Sequence, residues 1–200
     1  MKTNFSSSVI MKKYDKPIAL LFGFLTILFL VLLLTNTVFL NWVFARHQNQ
    51  MSWFIRPLFI VPFCYFAYRQ SWTGISIIIF AIFASMFWFN QPAIITDDVK
   101  AFLQFEIHWL SDTWKLKKVL FALVPLISFM TLGFSCWQRS IWMGLAVIAF
   151  MALGKMAWGI AQAGEPGKSM KIPATIGLLF CLSCIYFGFK QLEKRKPTNK

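Results

Sequence analysis

Residues 18–34 read IALLFGFLTILFLVLLL, an uncharged run that decides the class of fold. A helix that crosses a bilayer needs about 20 mostly apolar residues, and this run continues, less strictly apolar, to residue 40. A secretory signal peptide has a shorter apolar stretch of about 7–15 residues. The sequence therefore predicts a membrane span over residues 18–40 rather than a cleaved signal.

Similar apolar blocks occupy most of the remaining chain. Of its 200 residues, 58% are hydrophobic and only 14% are charged, whereas a typical soluble domain carries about 25% charged residues. The further predicted spans are residues 53–68, 72–89, 119–136, 141–160 and 172–189. Six spans leave no room for a soluble domain. We therefore expect an all-α polytopic membrane protein in which residues 1–200 form a single integral membrane domain.

The block 53–68 is the least regular of the six, because Arg56, Pro57 and Pro62 interrupt it. If it were re-entrant, five spans would place the two termini on opposite sides of the membrane. Proline is tolerated in membrane helices when neighbouring helices satisfy the freed backbone groups. The sequence therefore favours a sixth span with a kink.

The positive charge of the chain, formally +13, sits at the ends of the apolar blocks. Lysine and arginine in such positions contact lipid headgroups and set the orientation of the chain. No separate basic domain exists that could bind nucleic acid. The largest clusters precede the first span and follow the last: Lys2, Lys12, Lys13, Lys16, Lys190, Lys194, Arg195, Lys196 and Lys200. Both termini are therefore predicted to be cytoplasmic, although Lys115, Lys117 and Lys118 then form an external basic group.

Residues 96–110, between the third and fourth predicted spans, predict an amphipathic helix. Thr96 suits an N-cap, and Asp97 and Asp98 would lie at the positive end of the helix dipole. At about 100° per residue, the helix has a polar and an apolar face. The polar face holds Asp97, Gln104, His108 and Asp112, and the apolar face holds Val99, Phe102, Leu103, Trp109 and Leu110. We expect this helix to lie on the external membrane surface, with its apolar face towards the bilayer.

Glu106 lies in the middle of that apolar face, where its neighbours one turn away are all apolar. A carboxylate in this position needs a cation, a proton or a ligand. Two cations within predicted spans, Arg56 and Lys155, are placed in the outer half of the bilayer, at the depth of Glu106. The three residues predict either a structural ion pair that holds the surface helix on the bundle, or a ligand-binding site. The ion pair requires fewer assumptions.

Other polar groups give no comparable signal. His108, Asp112 and Asp97 share one face and are the best candidates for metal ligands, but a solvated polar face explains them better, so no metal site is predicted. The second histidine, His47, is also predicted to be external, which does not suit a haem. The sequence contains no GxSxG or HExxH motif. We predict no cofactor and no catalytic residues.

The cysteines lie within the predicted spans or at their inner ends: Cys64, Cys136, Cys181 and Cys184. Cys181 and Cys184 have CxxC spacing, but in mid-helix, away from the helix N-terminus that lowers a thiol pKa in redox motifs. All four are predicted to be small buried hydrophobic side chains.

Part of the chain resembles small multi-pass membrane proteins of bacteria. The resemblance is carried by Arg56-Pro-Leu-Phe, Pro62-Phe-Cys-Tyr-Phe-Ala-Tyr-Arg69, Ser85-Met-Phe-Trp-Phe89 with Pro92, and Phe102-Leu-Gln-Phe-Glu106. It extends from the second span to the surface helix. It implies a bacterial inner membrane and carries no activity.

Three functions are compatible with the sequence. The preferred hypothesis is a small transporter or channel-like protein for a small solute or ion, with Arg56, Glu106 and Lys155 in an outer vestibule. A structural or accessory subunit would instead bind a protein partner, or a second copy of the chain, through its aromatic spans. An enzyme acting on a lipid would use external carboxylates and His108, but no paired catalytic acids lie on the spans.

Overall fold

A computed structural model describes residues 3–194, and this part of the chain is all-helical, without a strand. Its α-helices are α1 (Thr3–Thr35), α2 (Thr37–His47), α3 (Met51–Leu58), α4 (Ile60–Tyr68), α5 (Trp72–Ala84), α6 (Asp97–Ser111), α7 (Leu116–Trp137), α8 (Ile141–Ala163) and α9 (Lys171–Lys194). Short 3₁₀ helices cover Ser85–Phe87 and Glu165–Met170. The predicted terminal charges Lys2, Arg195, Lys196 and Lys200 lie outside the described residues.

Five helical segments are long and apolar enough to cross a membrane, judged by length and composition. They are Lys13–Thr35, Met51–Tyr68, Leu116–Trp137, Ile141–Ala163 and Glu165–Leu192. These correspond to five of the six predicted spans and suggest an integral membrane protein. The remaining predicted span, residues 72–89, forms a shorter apolar helical segment, Trp72–Phe87.

The first predicted span, residues 18–40, was placed wrongly at its C-terminal end. Helix α1 ends at Thr35, because Asn36 adopts an extended conformation, with φ −119° and ψ 105°. The Asn36 side chain then accepts a hydrogen bond from the backbone N–H of Phe39 at 2.9 Å. Asparagine is a favourable N-cap because its side chain satisfies a free N–H of the first helical turn. Residues 37–40 therefore belong to a separate helix, α2, which the apolar run concealed.

The predicted kink in block 53–68 is present between α3 and α4. Phe59 separates the two helices, and prolines lie on both sides of it, at Pro57 and Pro62. Each proline lacks the N–H that would complete the α-helical ladder. The two short helices nevertheless form one segment of membrane-spanning length.

At one end of the bundle, Asp15 of α1 caps the N-terminus of α5. Asp15 accepts hydrogen bonds from the backbone N–H groups of Trp72 and Thr73 and from the Ser71 hydroxyl, each at 3.1 Å. The Ser71 hydroxyl oxygen in turn accepts from Gly74 N–H at 3.2 Å. The first three N–H groups of α5 are therefore satisfied, and a negative charge lies at the positive end of this helix.

The opposite end of the bundle brings α2, α6 and the turn Glu165–Met170 together. Gly164, with φ +65°, ends α8 in a conformation that favours glycine. The turn then folds back so closely that the Cα of Gly167 lies against the backbone of Gly159 on α8. A side chain at residue 167 would collide with that backbone. The turn Glu165–Met170 can therefore pack against α6.

Candidate functional site

Helix α6 has the two faces that the sequence predicts. Val99, Phe102 and Leu103 are buried, whereas the predicted polar residues Asp97, Gln104, His108 and Asp112 are exposed. Thr96 precedes the helix in an extended conformation, as an N-cap does, but its side chain makes no capping hydrogen bond. The packing of this apolar face against the bundle directs Glu106 inwards.

Glu106 pairs with Lys155 of α8. The Lys155 Nζ atom donates to Glu106 Oε1 at 2.6 Å, and the Glu106 side chain is 17% exposed against 42% for Lys155. The ammonium also lies 4.8 Å from the centre of the Trp158 ring and 5.5 Å from that of Phe102. An ion pair and two aromatic faces therefore hold one cation where α6 meets α8. The predicted clamp would need such an ion pair between α6 and α8.

Arg56, the third predicted member, has no such partner. Its Nε and Nη2 atoms are buried and have no hydrogen-bond partner within the described part of the chain. It also forms no ion pair there, since Glu106 contacts Lys155 instead. A buried donor without a partner costs about 1–3 kcal/mol, and more when it is charged. Buried polar groups in native structures are rarely left without a partner, so Arg56 needs an explanation.

A cavity of about 270 Å³ lies beside Arg56. Its lining includes all three predicted site residues, Arg56, Glu106 and Lys155, together with His47. The rest of the lining is almost entirely apolar and comes from α3, α4, α5, α6, α7, α8 and α9. The volume is close to the lower end of the range for small-molecule sites, about 300–1,000 Å³. The three residues therefore share one internal space.

The position of Arg56 depends on close packing between α3 and α9. Gly177 of α9 lies against Pro57, the residue that follows Arg56. A Cβ at position 177 would come within 2.5 Å of the proline ring. The thiol of Cys181, one turn further along α9, donates to the Pro57 carbonyl at 3.0 Å. This bond satisfies a backbone group that lies at the kink. Cys181 is therefore a buried packing residue, as the sequence predicts, and Cys184 is half-buried.

The sequence places His47 outside the bundle, but its side chain is buried, at the wall of the cavity. Its Nδ1 atom is 2.7 Å from the Ser52 hydroxyl, which itself donates to the Asn49 carbonyl at 2.8 Å. The hydroxyl can then only accept from the ring, so we assign the proton to Nδ1. The His47 carbonyl accepts from Trp53 Nε1 at 3.0 Å. The end of α2 and the start of α3 are thus fixed together.

Burial lowers the pKa of His47 well below its ordinary value of 6.5, and the positive charges of Arg56 and Lys155 lower it further. His47 is therefore neutral at pH 7. Lys155 and Glu106 compensate each other, which leaves the cavity with the single uncompensated charge of Arg56. The cavity lining therefore carries a net charge of one positive unit.

The remaining candidates stay apart from this cavity. His108, Asp112 and Asp97 are exposed on the outer face of α6. Within residues 3–194, no three His, Cys, Asp or Glu side chains lie close enough together to hold a metal ion. The sequence predicts an external basic group of Lys115, Lys117 and Lys118. In the structure, Lys118 is buried. Its ammonium donates to the Asp112 carbonyl at 2.6 Å and lies over the Trp109 and Trp114 rings: these contacts hold the chain between α6 and α7.

The cavity residues that the sequence did not single out include His47 and Trp53. The omission follows from the error at Asn36, because without α2 there is no helix end to carry His47 inwards. The sequence did contain a signal for α3. Ser52 and Arg56 are four residues apart, so on a helix they lie on the same face. Comparison with protein-family models, with curated proteins and with solved structures found no match.

Removal of Glu106 should destabilise the protein more than removal of its partner. After Lys155→Met, the Glu106 carboxylate still shares the cavity with Arg56, so a counter-ion remains. After Glu106→Gln, two cations share an apolar space without an anion. We expect Glu106→Gln to cost about 1–3 kcal/mol more than Lys155→Met, measured as the difference in thermal melting of the purified full-length protein. Glu165→Gln, which removes an exposed pair with Lys168, is the control and should change stability by at most about 1 kcal/mol. Equal melting of the two cavity variants would contradict the assignment.

Acid should destabilise the protein through His47. Because its pKa is lower in the folded than in the unfolded chain, the unfolded chain binds more protons once the pH falls below about 6.5. The stabilisation from the neutral ring is complete above that pH and is lost at up to about 1.4 kcal/mol per pH unit below it, until the folded pKa is reached. His47→Gln should reduce the loss of melting temperature between pH 7.5 and 5.5, whereas His108→Gln should not. Identical acid sensitivity of wild type and His47→Gln would refute this role.

Proposed function

We propose that this protein is a six-span transporter of the inner bacterial membrane, which binds a small monoanionic solute in the cavity beside Arg56. The single observation that carries the proposal is that Arg56 lines a cavity between helices with its Nε and Nη2 atoms buried and without a partner in the described part of the chain. Intramembrane charge is costly and is commonly retained for function. Glu106 is bound to Lys155 and therefore does not pair with Arg56. A monoanion in the cavity would supply the missing partner of Arg56.

The contacts at the two ends of the bundle support the six-span topology. The start of α5 lies beside Asp15 near the start of the first span, and the segment Trp72–Phe87 ends beside α2. At about 1.5 Å per residue, this segment extends roughly 24 Å, against a hydrocarbon thickness of about 30 Å. A shorter helix is accommodated by thinning of the bilayer. On this topology the cavity lies in the outer half of the membrane, with α6 at the external interface.

Clustered basic residues at the two ends of the chain support cytoplasmic termini. A green fluorescent protein fused after Lys200 should fluoresce, because it folds in the cytoplasm. Alkaline phosphatase inserted after Asp112 should be active, because it folds only outside. The reverse pattern would refute the orientation, and an active phosphatase inserted after Arg69 would refute the crossing by Trp72–Phe87.

Transport can be measured in proteoliposomes that contain the potassium salt of one anion. Valinomycin carries potassium outwards, and the liposomes shrink only if the anion follows. We would test chloride, lactate and octanesulfonate, a permanently charged amphiphile. At least one should leave faster than from protein-free liposomes. Arg56→Leu should slow that flux about tenfold or more, because it removes the only uncompensated cavity charge.

Arg46→Leu is the matched control, since Arg46 lies over the Trp42 ring, outside the cavity. Flux of all three anions at the rate of bare liposomes would contradict transport. If a protein partner then co-purified in mild detergent, the accessory-subunit hypothesis would replace it. Loss of turnover of a lipid on His108→Ala would instead support the enzyme.

A further inference from the structure

The cavity has a polar end and an apolar end. Its polar groups are His47, Arg56, Glu106 and Lys155, and these lie towards α2 and α6. From Lys155 to Ile148 the lining descends α8 by roughly 10 Å, at about 1.5 Å per residue. On α9 it likewise descends from Pro173 to Cys181. No charged residue lines the inner half.

The inner end reaches the middle of the bundle, between two packing cores. Ile148 and Cys181 belong to the core that forms around Phe63 and Leu132. Trp53 and Phe102, at the polar end, belong to the core that forms around Phe29 and Val43. The cavity lies where these two cores meet. An occupant that fills its length must therefore be polar at one end and apolar at the other.

The two free nitrogens of Arg56 define the polar end more closely. Nε and Nη2 are the pair on one edge of the guanidinium, and their N–H bonds are parallel. This edge matches the two oxygens of a carboxylate or phosphate in a bidentate contact. The uncompensated charge of the cavity is one positive charge, which a carboxylate balances. A phosphate monoester carries about −1.5 to −2 at pH 7 and would leave an excess.

We propose that the occupant of the cavity is a monocarboxylate with one apolar chain, held through a bidentate contact with Arg56. This rests on the proposed function for the need of an anion and adds its chemical class. The volume of about 270 Å³ accommodates one short chain, so that the chain lies among the apolar side chains and the head lies beside Lys155 and His47.

Octanoate is a suitable probe. Its binding to the full-length protein in neutral phosphatidylcholine nanodiscs is measured by titration calorimetry, with empty nanodiscs subtracted. Octanoate should bind saturably, and acetate, octanol and inorganic phosphate should each bind at least about tenfold more weakly, because each lacks either the chain or the carboxylate. Octyl phosphate tests the charge. It should bind more weakly than octanoate.

Two variants test the two ends separately. Arg56→Lys keeps the charge but removes the fork, and should weaken octanoate about tenfold. Arg46→Lys, the same substitution outside the cavity, should not. Ala152→Phe fills the apolar part of the cavity and should abolish the preference for octanoate over acetate. Ala157→Phe, an exposed position on the same helix, is its control. The chain-length comparison in the wild type needs no variant.

The possible outcomes are distinct. Acetate or inorganic phosphate could bind as tightly as octanoate, in a manner that depends on Arg56. The proposed apolar chain of the ligand would then be wrong, and the anion site of the proposed function would stand. If octanoate binds but no anion is transported, the ligand class stands and transport is wrong. Loss of octanoate binding in nanodiscs of anionic phosphatidylglycerol would identify a lipid headgroup as the occupant. It would overturn the proposal that the occupant is a free monocarboxylate. Octanoate binding that is unchanged in Arg56→Lys would also overturn it.

Discussion

A guanidinium group that is removed from water must keep its hydrogen bonds, and the cavity of this protein is built around one that has lost two of them. The Nε and Nη2 atoms of Arg56 are buried without a partner in the described chain. The nearest carboxylate, Glu106, is bound to Lys155 at 2.6 Å. Burial of an unpaired cation costs more than burial of a neutral donor, so an anion in the cavity would stabilise this arrangement. The neutral state of His47 follows first from its burial, and the positive charges of Arg56 and Lys155 lower its pKa further.

The surrounding helices maintain this arrangement by packing rather than by polar contacts. Helix α9 approaches α3 closely because Gly177 has no side chain, and Cys181 bonds to the carbonyl of Pro57. Helix α6 contributes Glu106 because its apolar face is buried. The turn Glu165–Met170 can pass beneath α6 because Gly167 and Gly159 meet backbone to backbone. These contacts fix the backbone segments that carry Arg56 and Glu106.

Much of this could be predicted from hydropathy, because a bilayer imposes length and composition on its helices. The all-helical fold, five segments of spanning length, the kink at Pro57 and Pro62 and the two faces of α6 follow directly. The predicted trio of Arg56, Glu106 and Lys155 does line one cavity, although hydropathy could not decide which cation the carboxylate binds. That choice depends on side-chain reach across α6 and α8. Helix α2 and the inward position of His47 were not predicted, because the apolar residues on both sides of Asn36 resemble one continuous span and conceal its role as an N-cap. The cap on α5 by Asp15 joins residues far apart in sequence and leaves no local pattern.

The most direct measurement is the NMR signal of the Arg56 Nε–H group, in protein labelled with ¹⁵N-arginine and assigned with Arg56→Lys. We expect this signal, without ligand, to shift less on Glu106→Gln than on addition of octanoate, because the carboxylate is bound directly to Lys155 and acts on Arg56 only at longer range. On addition of octanoate it should move downfield in a saturable manner, as a charge-assisted hydrogen bond forms. A signal that moves on Glu106→Gln and ignores octanoate would show that Arg56 is paired within the protein, and would contradict a cavity that awaits an anion.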